Sequence, residues 1–353
     1  NLAPSGFSDR QITMRWNAGS FNNSPITNYK VTSTQGSTTV DVTNCTGTTC
    51  TIPTPGNGPS NAVTVTVVAT NAIGDSDAVT LSDSVWSDII PPAPTALSSS
   101  PIDRGLILSW NAVSTPSGGS AVDRYHLAVG GYSGDVSPSS CSGGTCSVST
   151  ASLGWSFDNG VAVTYTVSAR NAALTALSVW NTSEPASGVP AGPPIAVASP
   201  SATVQSDTSV SLGWADVFSA NGRPITAYTA AAYTGTAPTC SPGGAITSNG
   251  AYLSAAGTST STTFTGLSAN ATYTLVVFAY NGQGCTVSSG VVAHTPPPVI
   301  SNLTVSGPSA NGSTYDFVFT GGTAGGTTLG SADSLYYRLN GGSEYGPVSL
   351  NGF

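Results

Sequence analysis

Apolar and polar residues alternate one by one over short stretches along the whole chain, the pattern of half-buried β-strands. The longest such stretch is YTLVVFAYNGQG at 273–284, which predicts a central strand ending in an Asn-Gly turn. Its period of two puts Tyr273, Leu275, Val277 and Ala279 on one face and Val276, Phe278 and Tyr280 on the other. Weaker copies are VTYTVSARNA at 163–172 and VTVTVVATNAIG at 63–74. Shorter alternating runs, ITMRW at 12–16, LILSW at 106–110 and VSLGW at 210–214, predict strands that end in tryptophan. Each is followed by a strand around a tyrosine: Tyr29, Tyr125 and Tyr228. No stretch of useful length repeats at the helical period, so the predicted elements are all β.

These strands recur in order. The tryptophans at 16, 110 and 214 lie about one small β-sandwich apart. Proline segments separate the copies: PPAP at 91–94, VPAGPP at 189–194 and HTPPP at 294–298, each a stiff linker. The predicted domains are 1–90, 91–190 and 191–296, with a partial fourth sandwich over 297–353. In the fourth unit, TYDFVF at 314–319 carries Phe319 in the tryptophan's place and YYRL at 336–339 supplies the next strand, but no copy of the central strand follows. The first repeat lacks the proline segment that opens the second and third. Both ends of the sequence are therefore expected to fall inside domains, and Asn1 suggests a processed chain or a stretch of a longer one. The predicted fold class is all-β, a tandem array of seven-stranded antiparallel β-sandwiches.

The six cysteines follow the repeats. Cys45 and Cys50 are separated by four residues, as are Cys141 and Cys146, each pair about thirty residues after a tryptophan. Each reads as a disulfide across a tight turn. Cys240 sits near that place in the third repeat without a local partner, and Cys285 follows the central strand, so Cys240–Cys285 is the expected third bond. Chain entropy gives the short bridges about 2 kcal/mol each and the long one about 4 kcal/mol. The rival reading is zinc, but each pair offers two ligands and no nearby histidine where four ligands are needed. Disulfides imply an oxidising, extracytoplasmic place.

Charge narrows the function. Charged residues make up 7% of the chain, its formal net charge is −8, and Lys30 is the sole lysine. With eight Lys and Arg in all there is no basic stripe, which excludes nucleic acid as a partner. No apolar run approaches the roughly 18 residues of a membrane span, so no membrane insertion is expected in this segment. His126 and His294 are the only histidines and neither pairs in sequence with a nucleophile. No catalytic constellation is visible, and no cofactor or metal is expected. Asp75, Asp77 and Asp83 form an acidic group without an EF-hand pattern and read as a solvated turn.

The residues resemble fibronectin type III domains. That family has a tryptophan on its second strand, a tyrosine on its third, a leucine six residues before a corner tyrosine, and a strand ending A-x-N-x-x-G. The third repeat carries Trp214, Tyr228, Leu267, Tyr273, Ala279, Asn281 and Gly284. The second keeps Trp110, Tyr125, Ala169 and Asn171, and the first Trp16, Tyr29, Ala69, Asn71 and Gly74. Val163 and Val63 stand at their tyrosine corners, which weakens the corner hydrogen bond there. The Cys-x4-Cys insertion resembles repeats in large surface proteins of high-GC Gram-positive bacteria. The resemblance implies a seven-stranded sandwich and no activity of its own, since this fold serves as spacer or binding scaffold in many settings.

One feature departs from a plain spacer. Where the other repeats place Thr164, Thr166, Ser168 and Arg170, or Thr64, Thr66 and Val68, the third places Val276, Phe278 and Tyr280, with Tyr233 beside them on the neighbouring strand. This outward apolar stripe is either a contact surface for a partner or neighbouring subunit, or local cross-strand packing of aromatics. Trp86, Trp155 and Trp180 fall out of phase with the repeats and read as domain-junction packing ahead of sugar stacking. Three roles follow for an extracellular or cell-surface protein that is not an enzyme. It is a structural spacer, a filament subunit joined through open sheet edges of the incomplete fourth domain, or an adhesin or accessory module. Its partners would be itself, other surface proteins or polysaccharide.

Overall fold

The structure is a computed structural model and describes residues 1–217, 221–241, 243–297, 303–306, 316–319, 334–338 and 344–349. The chain divides into two compact units, 1–190 and 191–353. The fold is a tandem array of antiparallel β-sandwiches. Among the described residues the only helical elements are short 3-10 turns such as Pro59–Asn61 and Ala151–Leu153.

Unit 1 contains two sandwiches built to one plan. In the first, one sheet runs Leu2–Ser8, Gln11–Trp16, Thr49–Pro53, Cys45–Thr46. The facing sheet runs Thr38–Val42, Ile26–Gln35, Thr64–Asn71, Gly74–Asp75, with Val79–Thr80 also on Thr64–Asn71. The last strand of this sandwich is only two residues long. In the second sandwich, Ser98–Ile102, Gly105–Asn111, Thr145–Ser149 and Cys141–Ser142 form one sheet. The facing one is Tyr132–Val136, Arg124–Val129, Val163–Arg170 and Ala186–Gly188.

Unit 2 contains the third copy. Ser201–Ser206, Ser209–Gly213 and Ser261–Thr265 make one sheet, and Tyr252–Leu253, Ala227–Tyr233, Thr272–Asn281 and Gly284–Val287 the other, with Val291–His294 on Thr272–Asn281. Beyond it, Leu303–Ser306 pairs with Asp316–Phe319 and Ser334–Arg338 with Glu344–Ser349, all antiparallel. The rest of the expected fourth domain, including Val299, Thr314 and Leu339, lies outside the described residues.

Each sandwich encloses its own core, filled by the inward half of the alternation. Ile12, Met14 and Ile52 face Val31, Val65 and Val67 in the first; Leu106, Leu108 and Cys146 face Leu127, Tyr165 and Val167 in the second; Val210, Leu212 and Phe264 face Ala230, Leu275 and Val277 in the third. In all three the strand-ending tryptophan meets the next strand's tyrosine edge-on. Ring centroids are 5.3 Å apart for Trp16–Tyr29, 5.4 Å for Trp110–Tyr125 and 5.8 Å for Trp214–Tyr228. An edge-to-face pair adds about 0.5–1.5 kcal/mol beyond area burial, so the spacing read from sequence is the spacing of one repeated packing unit. The tyrosine hydroxyl also accepts a backbone N–H three residues past the tryptophan, from Val113 to Tyr125 and from Val217 to Tyr228, both at 2.8 Å.

Candidate functional site

The central strand of each repeat ends at or just before an asparagine, and that asparagine works in two directions. Its Oδ1 closes the turn that follows: it accepts from Ile73 and Gly74 N–H in the first repeat, from Ala173 in the second and from Gln283 in the third. Its Nδ2 points back toward the segment that leads into the repeat. Asn171 donates to the Ile89 carbonyl at 2.8 Å, and Asn281 donates to the Gly192 carbonyl at 2.9 Å. A backbone carbonyl of the proline linker is thereby held by the sandwich it introduces.

Further bonds secure both lead-ins. Asp88, buried, accepts from Ser120 through both its backbone N–H and its hydroxyl, and Asn181 donates to the Pro91 carbonyl at 2.9 Å. In the third repeat Asn221 donates to Pro193 and Thr286 to Pro194, at 2.8 and 2.5 Å. Pro91, Pro94 and Pro194 are buried. Proline suits the place because its fixed φ lowers the entropy lost when an extended segment is pinned.

The turn explains the glycine of the A-x-N-x-x-G pattern. Gly74 and Gly284 take φ of 149° and 151°, where a side chain is strained. The second repeat has Leu174 there instead, and its chain leaves the turn as the 3-10 element Thr175–Leu177. Leu174, partly buried, packs against the core of the first sandwich, and Trp86 Nε1 donates to the Ala172 carbonyl at 2.8 Å. Trp86 therefore packs at the junction of the first two repeats, as expected. Trp155 instead stacks on Tyr132 within its own repeat at 5.8 Å, and Trp180 lies 5.5 Å under the Arg170 guanidinium. Burial holds that guanidinium below its usual pKa, with Asp135 pulling the other way.

The six cysteines form Cys45–Cys50, Cys141–Cys146 and Cys240–Cys285. The short pairs sit directly opposite each other on the last two strands of their four-stranded sheets. The long bond changes the meaning of the apolar stripe. Tyr233, Val276, Phe278 and Tyr280 do lie on one sheet face, but they are not an open surface: Val276 is 5% and Phe278 0% exposed, and the two tyrosines are half-buried. The stripe is covered by the chain between the third and fourth core strands. Thr239–Cys240 and Ile246–Thr247 form a small ribbon there, and Tyr252–Leu253 adds to the sheet beside Ala231 and Ala232. Cys240, Ile246 and Ala251 close over Ala231, Val276 and Phe278 as a second, smaller core. Cys285 follows the central strand, so the disulfide staples this cover to the sheet it protects. Burial raises the Tyr280 phenol, with the Thr229 hydroxyl opposing.

The remaining candidates are dispersed. His126 Nδ1 is 2.6 Å from Asp135 Oδ1, and His294 Nδ1 is 2.9 Å from the Thr272 hydroxyl. Asp75 bonds Lys30 at 2.5 Å and the Thr70 hydroxyl at 2.7 Å, and the lysine holds its carboxyl below the usual range. Among the described residues no three His, Cys, Asp or Glu side chains converge as metal ligands.

The corner tyrosine decides the identity of the third repeat. Tyr273 Oη accepts the Ser268 N–H at 2.8 Å, just past the buried Leu267. Residues 195–295 match the family model "Fibronectin type III domain". This repeat is a fibronectin type III domain. No curated protein matches the chain. Among solved structures, the chain is similar to the FN1-FN3 domains of chicken CNTN1, at 16% identity over 84% of this chain and 97% of that one, with a TM-score of 0.32. It is likewise similar to a segment of titin, at 14% identity over 84% and 97%, with a TM-score of 0.35. Within the fibronectin type III domain, the stapled cover and the clamped lead-in are the features with functional content.

Proposed function

We propose that the chain is a non-catalytic spacer segment of a secreted or cell-surface bacterial protein. The observation that carries this reading is the clamping of the proline lead-ins. Each lead-in is bonded through its carbonyls to the asparagine and turn residues of the sandwich that follows, Ile89 to Asn171 and Gly192 to Asn281. Pinned to the sandwich it introduces, each lead-in is held as an extended segment where a free Gly/Ser linker would be a random coil. Three disulfides fit an oxidising compartment, and among the described residues no helix is long and apolar enough to cross a membrane. The stripe at Tyr233, Val276, Phe278 and Tyr280 was the second contact of the filament reading and the candidate surface of the binding reading, and its cover removes that support; the open edge of the fourth domain, on which the filament reading chiefly rests, falls largely outside the described residues.

Small-angle X-ray scattering of the whole chain tests the proposal. A spacer gives a radius of gyration well above the roughly 20 Å of a single globule of this length, unchanged by salt. A value near that of a single globule refutes it.

A further inference from the structure

Among the described residues, the third repeat lacks a strand that the other two possess. In the first repeat Cys45–Thr46 lies along the outer side of Thr49–Pro53, and in the second Cys141–Ser142 lies along Thr145–Ser149. Those edge strands are two residues long, and each is tied to its neighbour by a disulfide. In the third repeat the cysteine segment is used elsewhere. Thr239–Cys240 pairs with Ile246–Thr247 in the cover and bonds Cys285 beside the other sheet. Ser261–Thr265 is left as an outer strand, paired only with Ser209–Gly213.

The register defines the free side of this strand. Trp214 N–H donates to the Thr260 carbonyl at 2.9 Å, and Leu212 and Val210 lie opposite Thr262 and Phe264. Hydrogen-bonding direction alternates along an antiparallel strand, so Thr262 and Phe264 turn their backbone toward Ser209–Gly213. Ser261, Thr263 and Thr265 turn theirs outward, and among the described residues no backbone group meets them. These three residues are exposed, while Phe264 is buried in the core. Sheet edges usually carry a guard against pairing. Leu2–Ser8 has Pro4 and a bulge, Ser98–Ile102 has Pro101, and Ser201–Ser206 has a bulge. The sequence STTFT at 261–265 has no proline, no bulge and no charge, and residues 224–298 contain no Asp, Glu, Lys or Arg.

We propose that Ser261–Thr265 is a self-pairing edge, at which two copies of the chain join antiparallel about a two-fold axis at Thr263. A two-fold contact must be complementary to itself, and the outward groups meet that condition. Ser261 of one copy faces Thr265 of the other, Thr263 faces its own counterpart, and each pair exchanges both of its N–H···O bonds. Charge favours this place over the rest of the surface. Each chain carries a net −8, so two copies repel, and the uncharged stretch around this edge is where they approach against the least opposition. The contact stands independently of the spacer reading.

The test is sedimentation of the full chain between about 10 µM and 1 mM. The expected result is a reversible monomer–dimer equilibrium with a dissociation constant within about that range, as befits a small transient contact, and no species beyond the dimer. Thr263→Pro removes the outward N–H at the axis, spares the pairing with Ser209–Gly213, and should weaken association at least tenfold. Because proline can disturb a strand, Thr263→Lys and Thr263→Asp serve as second variants at an exposed position. Each sets like charges opposite one another and should stay monomeric alone, whereas an equal mixture of the two should associate. Amide exchange read by NMR should slow at least threefold at high concentration for Ser261, Thr263 and Thr265, with Thr262 and Phe264 already protected at low concentration. Three results would each overturn the proposal: a monomer at every concentration, association untouched by the Thr263 variants, or growth past the dimer, which would assign it to a contact that does not close.

Discussion

Replacing Phe278 with alanine separates a covered stripe from an exposed one. Phe278 is fully buried in a small cluster with Ala231 and Val276, under Cys240, Ile246 and Ala251. Truncating a buried phenylalanine costs about 3–5 kcal/mol, whereas an exposed side chain changed to alanine moves stability by about 0.5 kcal/mol or less. A factor of ten in an equilibrium is about 1.36 kcal/mol. Amides of Thr272–Asn281 that exchange through opening of this repeat should therefore exchange about two to nearly four orders of magnitude faster. Hydrogen exchange read by mass spectrometry resolves this strand from Val163–Arg170, which serves as an unaffected internal reference. The staple gives a second axis. Cys240 and Cys285 are 45 residues apart, and losing their bond to a Cys240→Ser, Cys285→Ser pair costs about 4 kcal/mol by chain entropy. Once the cover is loose, Phe278 lies on a wetter face and its truncation costs less, so the combined variant should lose less than the two effects added. Exchange faster by less than about threefold in Phe278→Ala, or full additivity, would refute the reasoning.

Tyr273→Phe removes the acceptor of the Ser268 N–H and should destabilise the third repeat by about 1–2 kcal/mol, read as faster exchange over Ser261–Thr265; an unchanged rate would mean the corner bond contributes nothing. Alkaline pH should act on the tyrosines whose phenols are raised by burial, Tyr165, Tyr228 and Tyr280. Their folded pKa values exceed the unfolded value of about 10, so their contribution is complete below about pH 10 and is lost as pH rises through the folded values. Phenolate absorbance should show a late-titrating group that ionises together with loss of the β circular-dichroism signal; all tyrosines titrating in one step near pH 10 with the fold intact would contradict this.

Much of the array was legible because strand faces are written directly into the chain. Ile12, Met14 and Trp16, or Val210 and Leu212, alternate with polar residues, and burial follows that alternation. Cys240–Cys285 was also within reach, because repeat phase leaves each cysteine without a local partner. The cover over Phe278 was not. Its strands are two residues long, too short to show a period, and the surrounding PTCSPGGAITSNG reads as loop. The usable signal was indirect: apolar residues at Val276 and Phe278 on a face that is polar elsewhere, together with a disulfide that must bring a distant segment onto that face. Leu174 shows a second limit. Its place in the turn pattern calls for glycine, and only the tertiary structure reveals that the leucine packs against the core of the neighbouring sandwich. The asparagines were recognised as strand ends, but the direction of Nδ2 depends on where the linker lies, which local sequence does not encode.

The bond from Asn171 to Ile89, like that from Asn281 to Gly192, also bears on how such a chain is inherited. In both cases the anchoring residue belongs to the sandwich downstream of the linker. A duplicated copy that carries its own proline lead-in brings the mount for it as well, whatever domain happens to stand before it. Leu174 and Trp86 are the opposite kind of contact, each matched to one particular neighbour. A copy joined only by contacts of the first kind can be added, lost or reordered by recombination without redesigning a joint, whereas parting the first two repeats would break the contacts of Leu174 and Trp86.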